Sequence, residues 1–497
     1  MNHASLYQTS LANRTLFGLP WVVVAVLAYF AFQIGLVTFV SNGAGLDDAE
    51  QLANMDYLDW GYGGSQPPLY TWLAHFMAAL FGTNLFTLQL VKFGLLASLF
   101  VSVFYGLRLL GFSNTVSAAG MLGLFLIPQI GWESQRALTH SVAGTTACGW
   151  ILLTFAWHMH RQNAVSALLF GLAMAAAPLG KLNATFFIVM VLVTGLSIAP
   201  YRKVLLSRLS CITLLGFLLV LAPTAFWMLT HKTSVIARSG KLQIGATGNA
   251  LLDRLTGAVN LFQSTILFLS VALIVAAFVA TIYFARSERL TTPRSAGELF
   301  MRRIVLIGLG IVLAGVLVTG ASHIKDRWLQ PILFLGPAVL ACRINRFRAN
   351  SHAVRDFGIA GAIAALLVPP ILSYNLVRGS NSAPYGQLDY AAAYEEITAS
   401  GPFKVILTDN PQLPGNFRLF DPSLHVVHAE TPDPETHLGR PLLVMWLGGA
   451  NPNERMAELL KRMQISVPAA AVRTTTVPFR TRPDHPPLVV SYFLVQD

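Results

Sequence analysis

The chain has 497 residues, of which 54% are hydrophobic and only 11% charged, whereas a soluble protein carries about 25% charged residues. This composition excludes an ordinary soluble globular protein. Many apolar runs approach the ~20 residues that cross a bilayer, which predicts a polytopic helical membrane protein. The formal net charge of +11 does not indicate nucleic acid, because much of the Lys/Arg excess lies in short loops, where the positive-inside rule puts it.

The first apolar segment, 19–40, is too long for the core of a signal peptide and reads as a retained helix. An acidic, aromatic loop follows it, with Asp47, Asp48, Glu50, Asp56 and Asp59 and with no Lys or Arg between Ser41 and Val91. Such a loop cannot build a core and would repel anionic headgroups. It points to work at the outer surface of a membrane. Segment 68–82 is apolar but short, and Pro67-Pro68 suits the start of an interfacial or re-entrant helix. About ten further spans are predicted, at approximately 84–110, 114–130, 138–158, 164–180, 183–199, 208–229, 261–284, 302–321, 328–343 and 355–373. The cysteines, Cys148, Cys211 and Cys342, all lie in apolar runs and form no CxxC pair, so neither a zinc site nor a disulfide framework is indicated.

Charge sets the topology. Arg202, Lys203 and Arg208, then Arg286, Arg289, Arg294, Arg302 and Arg303, then Arg343, Arg346, Arg348 and Arg355 alternate as cytoplasmic loops if the N-terminus is inside. The acidic loop and everything after Ser373 then fall outside. Three basic clusters run against this bias, at the outer ends of spans: Lys181; Lys232, Arg238 and Lys241; and His323, Lys325 and Arg327. One residue of this kind is an interfacial anchor as readily as a ligand. Three clusters on one side suggest a shared anion, and Lys and Arg are the usual phosphate ligands. Arg136 is a further candidate.

After Ser373 the composition becomes soluble and rich in proline. Short strands are predicted at 403–408, 424–428, 442–446, 472–479 and 488–494, with a helix at 452–463. The expected organisation is a membrane domain at 1–373 and a small soluble α/β domain at 374–497. No glycine-rich phosphate loop is present. His425, His428 and His437 lack metal-ligand spacing and read as surface histidines.

Asp47-Asp48-Ala49, Gly61-Tyr62 and Pro67-Pro68 resemble the first outer loop of the GT-C glycosyltransferases. The similarity is to the branch holding protein O-mannosyltransferases, lipid A aminoarabinose transferases and bacterial galacturonosyltransferases. Gly180-Lys181, Phe226-Trp227 with His231, and the segment HIKDRWLQPILFLGPAVLA resemble later family motifs in the same order. The resemblance covers nearly the whole chain. It implies an all-α GT-C membrane fold of about 11–13 helices with a small outer α/β domain, in the inner membrane of a bacterium. It also implies a donor sugar on a polyprenyl phosphate, an envelope lipid or glycan as acceptor, and inversion at C1. Asp47 would be the general base and Asp48 its catalytic neighbour. Lys181, His323, Lys325, Arg327, Arg238, Lys232 and Arg136 would bind the donor phosphate. Glu50, Tyr62, Gln66 and His140 would contact substrate, although Tyr62 also reads as a packing aromatic. A divalent metal, if one is used, would be held by Asp47 and Asp48. The chain departs from the family pattern at Asp48, where relatives carry Glu, at Gln66, and at Ser141, where many relatives place Asp. The competing readings are a lipid-sugar flippase or transporter and a protein O-mannosyltransferase. A transporter would show internal repeats and broken helices near the midplane, and no convincing repeat is visible.

Overall fold

In hydrocarbon every backbone N–H and C=O must be satisfied inside its own segment, so apolar runs of this length fold as helices. The computed structural model describes residues 14–63, 66–232, 240, 243–245, 248–283, 292–346, 351–379 and 384–496. In chain order the membrane-type helices and their companions are α1 (Trp21–Val40), α2 (Leu46–Asn54), α3 (Leu69–Phe81), α4 (Leu85–Leu109), α5 (Asn114–Leu122), α6 (Thr139–Arg161), α7 (Ala164–Gly180), α8 (Thr185–Leu196), α9 (Leu209–Thr230), α10 (Ala250–Tyr283), α11 (Ala296–Thr319), α12 (Gly336–Ile344) and α13 (Ser351–Arg378). Among the described residues six helices are long and apolar enough to cross a membrane, or up to eight if each bent pair counts as one span. The protein is a multi-pass membrane protein. Helix α6, the shorter α7 and the interrupted segments at 114–136, 182–205 and 328–344 make up the difference between six and the eleven expected spans.

Contacts divide the chain into two compact units. The first holds residues 1–31, 93–226 and 238–368; the second holds 32–92, 227–237 and 369–497. The acidic loop therefore belongs with the tail by contact, whereas the sequence suggested a division at 373.

In the first unit, helices approach through small residues, as membrane helices do. A Cβ on Gly180 would sit 2.6 Å from the Gly144 backbone nitrogen, so α6 and α7 touch almost backbone to backbone. Between these helices Asn163 caps α7 in a reciprocal box with Ser166. Thr146 Oγ1 donates to the Leu95 carbonyl at 3.0 Å and Trp150 Nε1 to Ser98 Oγ at 2.7 Å, tying α6 to the part of α4 in this unit. The predicted span 114–130 does not run straight. It breaks after Leu126 and turns by 76° into a π-helical turn, Gln129–Glu133, that ends at Arg136. Pro128 precedes that turn and cannot donate to a regular helix.

In the second unit the tail forms a five-stranded mixed sheet with order β2-β1-β3-β5-β4, from β1 (Val405–Thr408), β2 (His425–His428), β3 (Leu442–Leu447), β4 (Arg473–Val477) and β5 (Leu488–Val495). β1 pairs in parallel with β2 and β3; β5 runs antiparallel to β3 and β4. Helices α14 (Tyr390–Thr398) and α15 (Gln412–Phe417) cover one face, with Ile406, Leu443 and Met445 beneath them. Helix α16 (Glu454–Arg462) covers the other, on Leu407, Val444 and Trp446. A parallel strand covered on both sides must be apolar throughout, and β1, VILT, is buried at all four positions. The expected strands and α16 are all present; α14 and α15 are additional.

The acidic loop is held against this tail domain. Asn416 accepts from the Ala44 N–H at 2.6 Å and donates to the Ala44 carbonyl at 2.9 Å, and Gln412 donates to the same carbonyl at 2.7 Å. Arg418 donates to the carbonyl of Leu52. Direct bonding puts the loop and the tail on one side of any membrane that the helices cross.

Candidate active site

Helix α2 carries the acidic motif. Its N-cap is Gly45, with no side-chain cap, so neither aspartate is used as a capping group. Successive residues of a helix point about 100° apart, and this separates the pair. Asp47 is half-buried; Asp48 is 5% exposed. Lys92 Nζ lies 2.5 Å from Asp48 Oδ2, with 1% of the lysine side chain exposed, and Gln89 Nε2 donates to the same oxygen at 3.2 Å. Sequence reasoning missed Lys92. The available signal was a lone lysine inside a 25-residue apolar helix, a position where ionisable groups are expensive and functional.

Glu50 accepts from Gln66 Nε2 at 2.8 Å, so these two candidates meet. Tyr62 is buried. It donates through its hydroxyl to the Tyr57 carbonyl at 2.8 Å and pairs its backbone with Gln66. Burial pushes the Tyr62 and Tyr57 phenols well above their ordinary range, so both are neutral donors. Trp72 Nε1 donates to the Asp59 carbonyl at 2.7 Å and packs edge-on against Trp60. Burial raises the Asp59 carboxyl, against the lowering effect of the Trp60 N–H and of His231 and His437.

Of the tail histidines expected at the surface, His428 is buried, whereas His425 and His437 are half-buried. His425 bonds Asp56 and stacks on His437 at 5.3 Å, with Tyr57 packed against both rings. His428 is buried. Its Nε2 bonds Asn54 Oδ1 at 2.9 Å, and its Nδ1 accepts from the Glu430 N–H at 3.3 Å. The bond from Glu430 requires an unprotonated Nδ1 and so the neutral ring, and burial brings its pKa down to about 4. His231 stacks on Trp227 and lies 3.1 Å from Asp433. Lys232 follows it and is exposed; Arg238 and Lys241 lie outside the described residues.

Within the first unit, three segments carry the other basic candidates and are bonded to one another. Lys181 leaves the end of α7 and donates to Ser141 Oγ at 2.5 Å, beside His140 in the first turn of α6. Asn183, two residues on, donates to the Trp328 carbonyl at 2.8 Å. Gln129 donates to Asp326, and Gln330 Nε2 reaches Ser134 Oγ at 3.3 Å. The turn at Lys181, the segment of His323, Lys325 and Arg327, and the bend that ends in Arg136 therefore form one local assembly. Arg327 is exposed, His323 and Lys325 are half-buried, and Arg136 pairs with Glu133 at 2.9 Å.

No group of three or more His, Cys, Asp or Glu among the described residues could hold a metal ion. The donor set proposed from sequence does not fit one either, because an ammonium already occupies Asp48.

No family model matches the chain. Two curated proteins of Rhizobium johnstonii do. The lipopolysaccharide core galacturonosyltransferase RgtB is 30% identical over 469 residues, covering 91% of this chain and 93% of its own length. The lipopolysaccharide core galacturonosyltransferase RgtA is 28% identical over 460 residues, covering 90% of each. The chain belongs to the lipopolysaccharide core galacturonosyltransferase family. It is a membrane glycosyltransferase, which removes the flippase reading. Among solved structures, ArnT from Cupriavidus metallidurans bound to undecaprenyl phosphate covers 94% of this chain and 97% of its own, with a TM-score of 0.57 at 11% identity. At that identity the likeness establishes the GT-C fold alone.

Proposed function

We propose that this glycosyltransferase moves galacturonic acid from a polyprenyl-phosphate carrier to a sugar of the lipopolysaccharide core or lipid A, on the outer face of the bacterial inner membrane. The single observation that carries the reading is the match to RgtB over nine-tenths of the chain. The different settings of the two aspartates support it, because Asp48 is buried and paired with Lys92 whereas Asp47 is only half-buried. Asp47 is the base. It takes the proton of the acceptor hydroxyl as that oxygen attacks C1, and the C1–O bond to phosphate breaks with inversion. A positioned base of this kind contributes typically about 10²–10⁴-fold. The leaving polyprenyl phosphate gains charge as the bond breaks, and fixed cations are suited to stabilise it. Lys181, Lys325, Arg327 and Arg136 are assigned to that task, with His323 and Lys232 as further candidates. Glu50, Gln66, Tyr62 and His140 are assigned to sugar and acceptor contacts. The positive-inside bias of the Arg-rich loops supports a cytoplasmic N-terminus and a periplasmic tail domain.

The test is transfer by purified protein in detergent micelles, given undecaprenyl-phosphate galacturonic acid and lipopolysaccharide core acceptor, with product read by mass spectrometry. A galacturonate adduct on the core is expected. An adduct on protein alone would favour the O-mannosyltransferase-like reading, and no adduct with this donor would remove the sugar assignment.

A further inference from the structure

We propose that the far end of the acidic loop and the tail form a separate sugar subsite, which holds a neutral, hydroxyl-rich unit of the acceptor glycan away from the attacked hydroxyl. The inference rests on the glycan acceptor proposed above and adds where that glycan is recognised. The groups are Asp59 and Trp60 in the loop, His231 just after α9, and Asp433 and His437 in the tail. None of them is assigned a part in the transfer step.

Glycine presses the loop onto its neighbours. A Cβ on Gly61 would lie 2.4 Å from the Trp227 ring, and one on Gly63 would fall 1.2 Å from the Glu430 carbonyl oxygen. This close approach brings Asp59 and Trp60 beside residues distant in sequence. His231 stacks on Trp227 with ring centroids 4.3 Å apart, and its Nε2 lies 3.1 Å from Asp433 Oδ2. The Trp60 N–H donates to Asp59 Oδ1 at 2.6 Å. Helix α2 separates this cluster from Asp47. The seven residues from Asp47 to Asn54 span about 10 Å along the helix axis, and the loop residues of the cluster come after Asn54. The unit held here is therefore not the one attacked.

The fold does not consume these groups. The Trp60 indole is 46% exposed, and the Asp433 side chain 55%. A surface pair such as His231–Asp433 contributes little to stability. Asp59 is half-buried, which is costly for a carboxylate unless bonds compensate it. An open indole face beside carboxylates and imidazoles suits a polyol. The ring covers the C–H face of a sugar, the carboxylates accept from its hydroxyls, and an imidazole donates or accepts. Charge narrows the class. Asp56, Asp59 and Asp433 all act on the His437 ring. Three carboxylates in one cluster disfavour a phosphate or a uronate, so the unit is neutral.

The experiment is transfer by the full-length protein in the micelle assay to delipidated core oligosaccharides of increasing length, each retaining the attacked sugar. Wild type, Trp60→Ala, Asp433→Asn and His437→Ala are compared, with donor KM and thermal stability measured on each. Wild type should gain about tenfold in kcat/KM at the step that adds the held unit, through a lower acceptor KM. In each variant that gain should fall below about threefold, with donor KM unchanged. Trp60 is exposed, and Asp433 has φ 42, a conformation that asparagine also adopts. Those two variants should keep the fold and decide the matter if His437→Ala does not. Equal losses on acceptors of every length, the mark of a structural role or of an interfacial anchor at Trp60, overturn the inference. So does a wild type without the gain, or a gain that survives in Trp60→Ala and Asp433→Asn. A wild type that transfers to none of the oligosaccharides defeats the acceptor reading itself, and the subsite with it.

Discussion

The two units of this protein are held together by different physics. The first is built by close approach of helix backbones at glycine, with a few side-chain bonds to carbonyls, as at Gly180 against Gly144 and Thr146 on Leu95. In lipid the helices gain little from burying apolar side chains, so contact distance decides their packing. The second is built by polar side chains that reach across more than 300 residues of sequence: Asn416 and Gln412 on Ala44, His428 on Asn54 and His425 on Asp56. These bonds fix the loop that carries the acidic motif, and the His428 bonds depend on its protonation. One unit should therefore answer to volume and the other to pH.

The largest effect is expected from volume in the first unit. Gly180→Val puts a Cβ on the Gly144 backbone and should destabilise by about 3 kcal/mol or more, read as a fall in thermal stability in detergent. If Gly180→Val kept wild-type stability, close backbone packing would not be what joins α6 and α7.

Next comes pH in the second unit. His428 has a folded pKa near 4 against an ordinary value of 6.5, so the unfolded chain binds a proton in that interval and the folded chain does not. Its contribution is complete above about pH 6.5 and is lost as pH falls toward 4, a change of about 3 kcal/mol. Unfolding followed across that window should steepen in wild type and flatten in His428→Gln.

A smaller effect concerns the basic assembly of the first unit. Lys181→Ala and Arg327→Ala should each reduce transfer about tenfold, or about 1.4 kcal/mol of leaving-group stabilisation, with the fold intact. Unchanged turnover and unchanged donor affinity in both would dissolve the shared-anion assignment. The smallest change is predicted where polar contact is exposed. The Arg462–Glu435 pair is half exposed on both sides, and Glu435→Ala should alter stability by less than about 0.5 kcal/mol.

Much of the fold was legible because it is local. Apolar length marked α1, α4 and α9 to within two residues, and alternation with turn residues marked every strand of the tail. α10 begins at Ala250 instead of the expected 261, because Asp253 and Arg254 near its start make that stretch read as loop. α14 and α15 were missed for a related reason. They are short, and α15 contains Pro414 and Gly415, which speak against helix locally, although packing on α2 requires the small residue at 415. Of the candidate site, Asp47, Asp48, Glu50, Gln66 and the Lys181 turn could be named as candidates from residue type and order. The Lys92–Asp48 pair and the histidine contacts could not, since no periodicity records which distant side chain a buried carboxylate will meet.

The central claim is that Asp47 performs the proton transfer in glycosyl transfer. It is tested most directly by the turnover of purified, folded Asp47→Asn protein in the micelle assay, with thermal stability measured on the same sample. A fall of about 10²–10⁴-fold at wild-type stability is predicted; turnover within a few-fold of wild type would contradict the account.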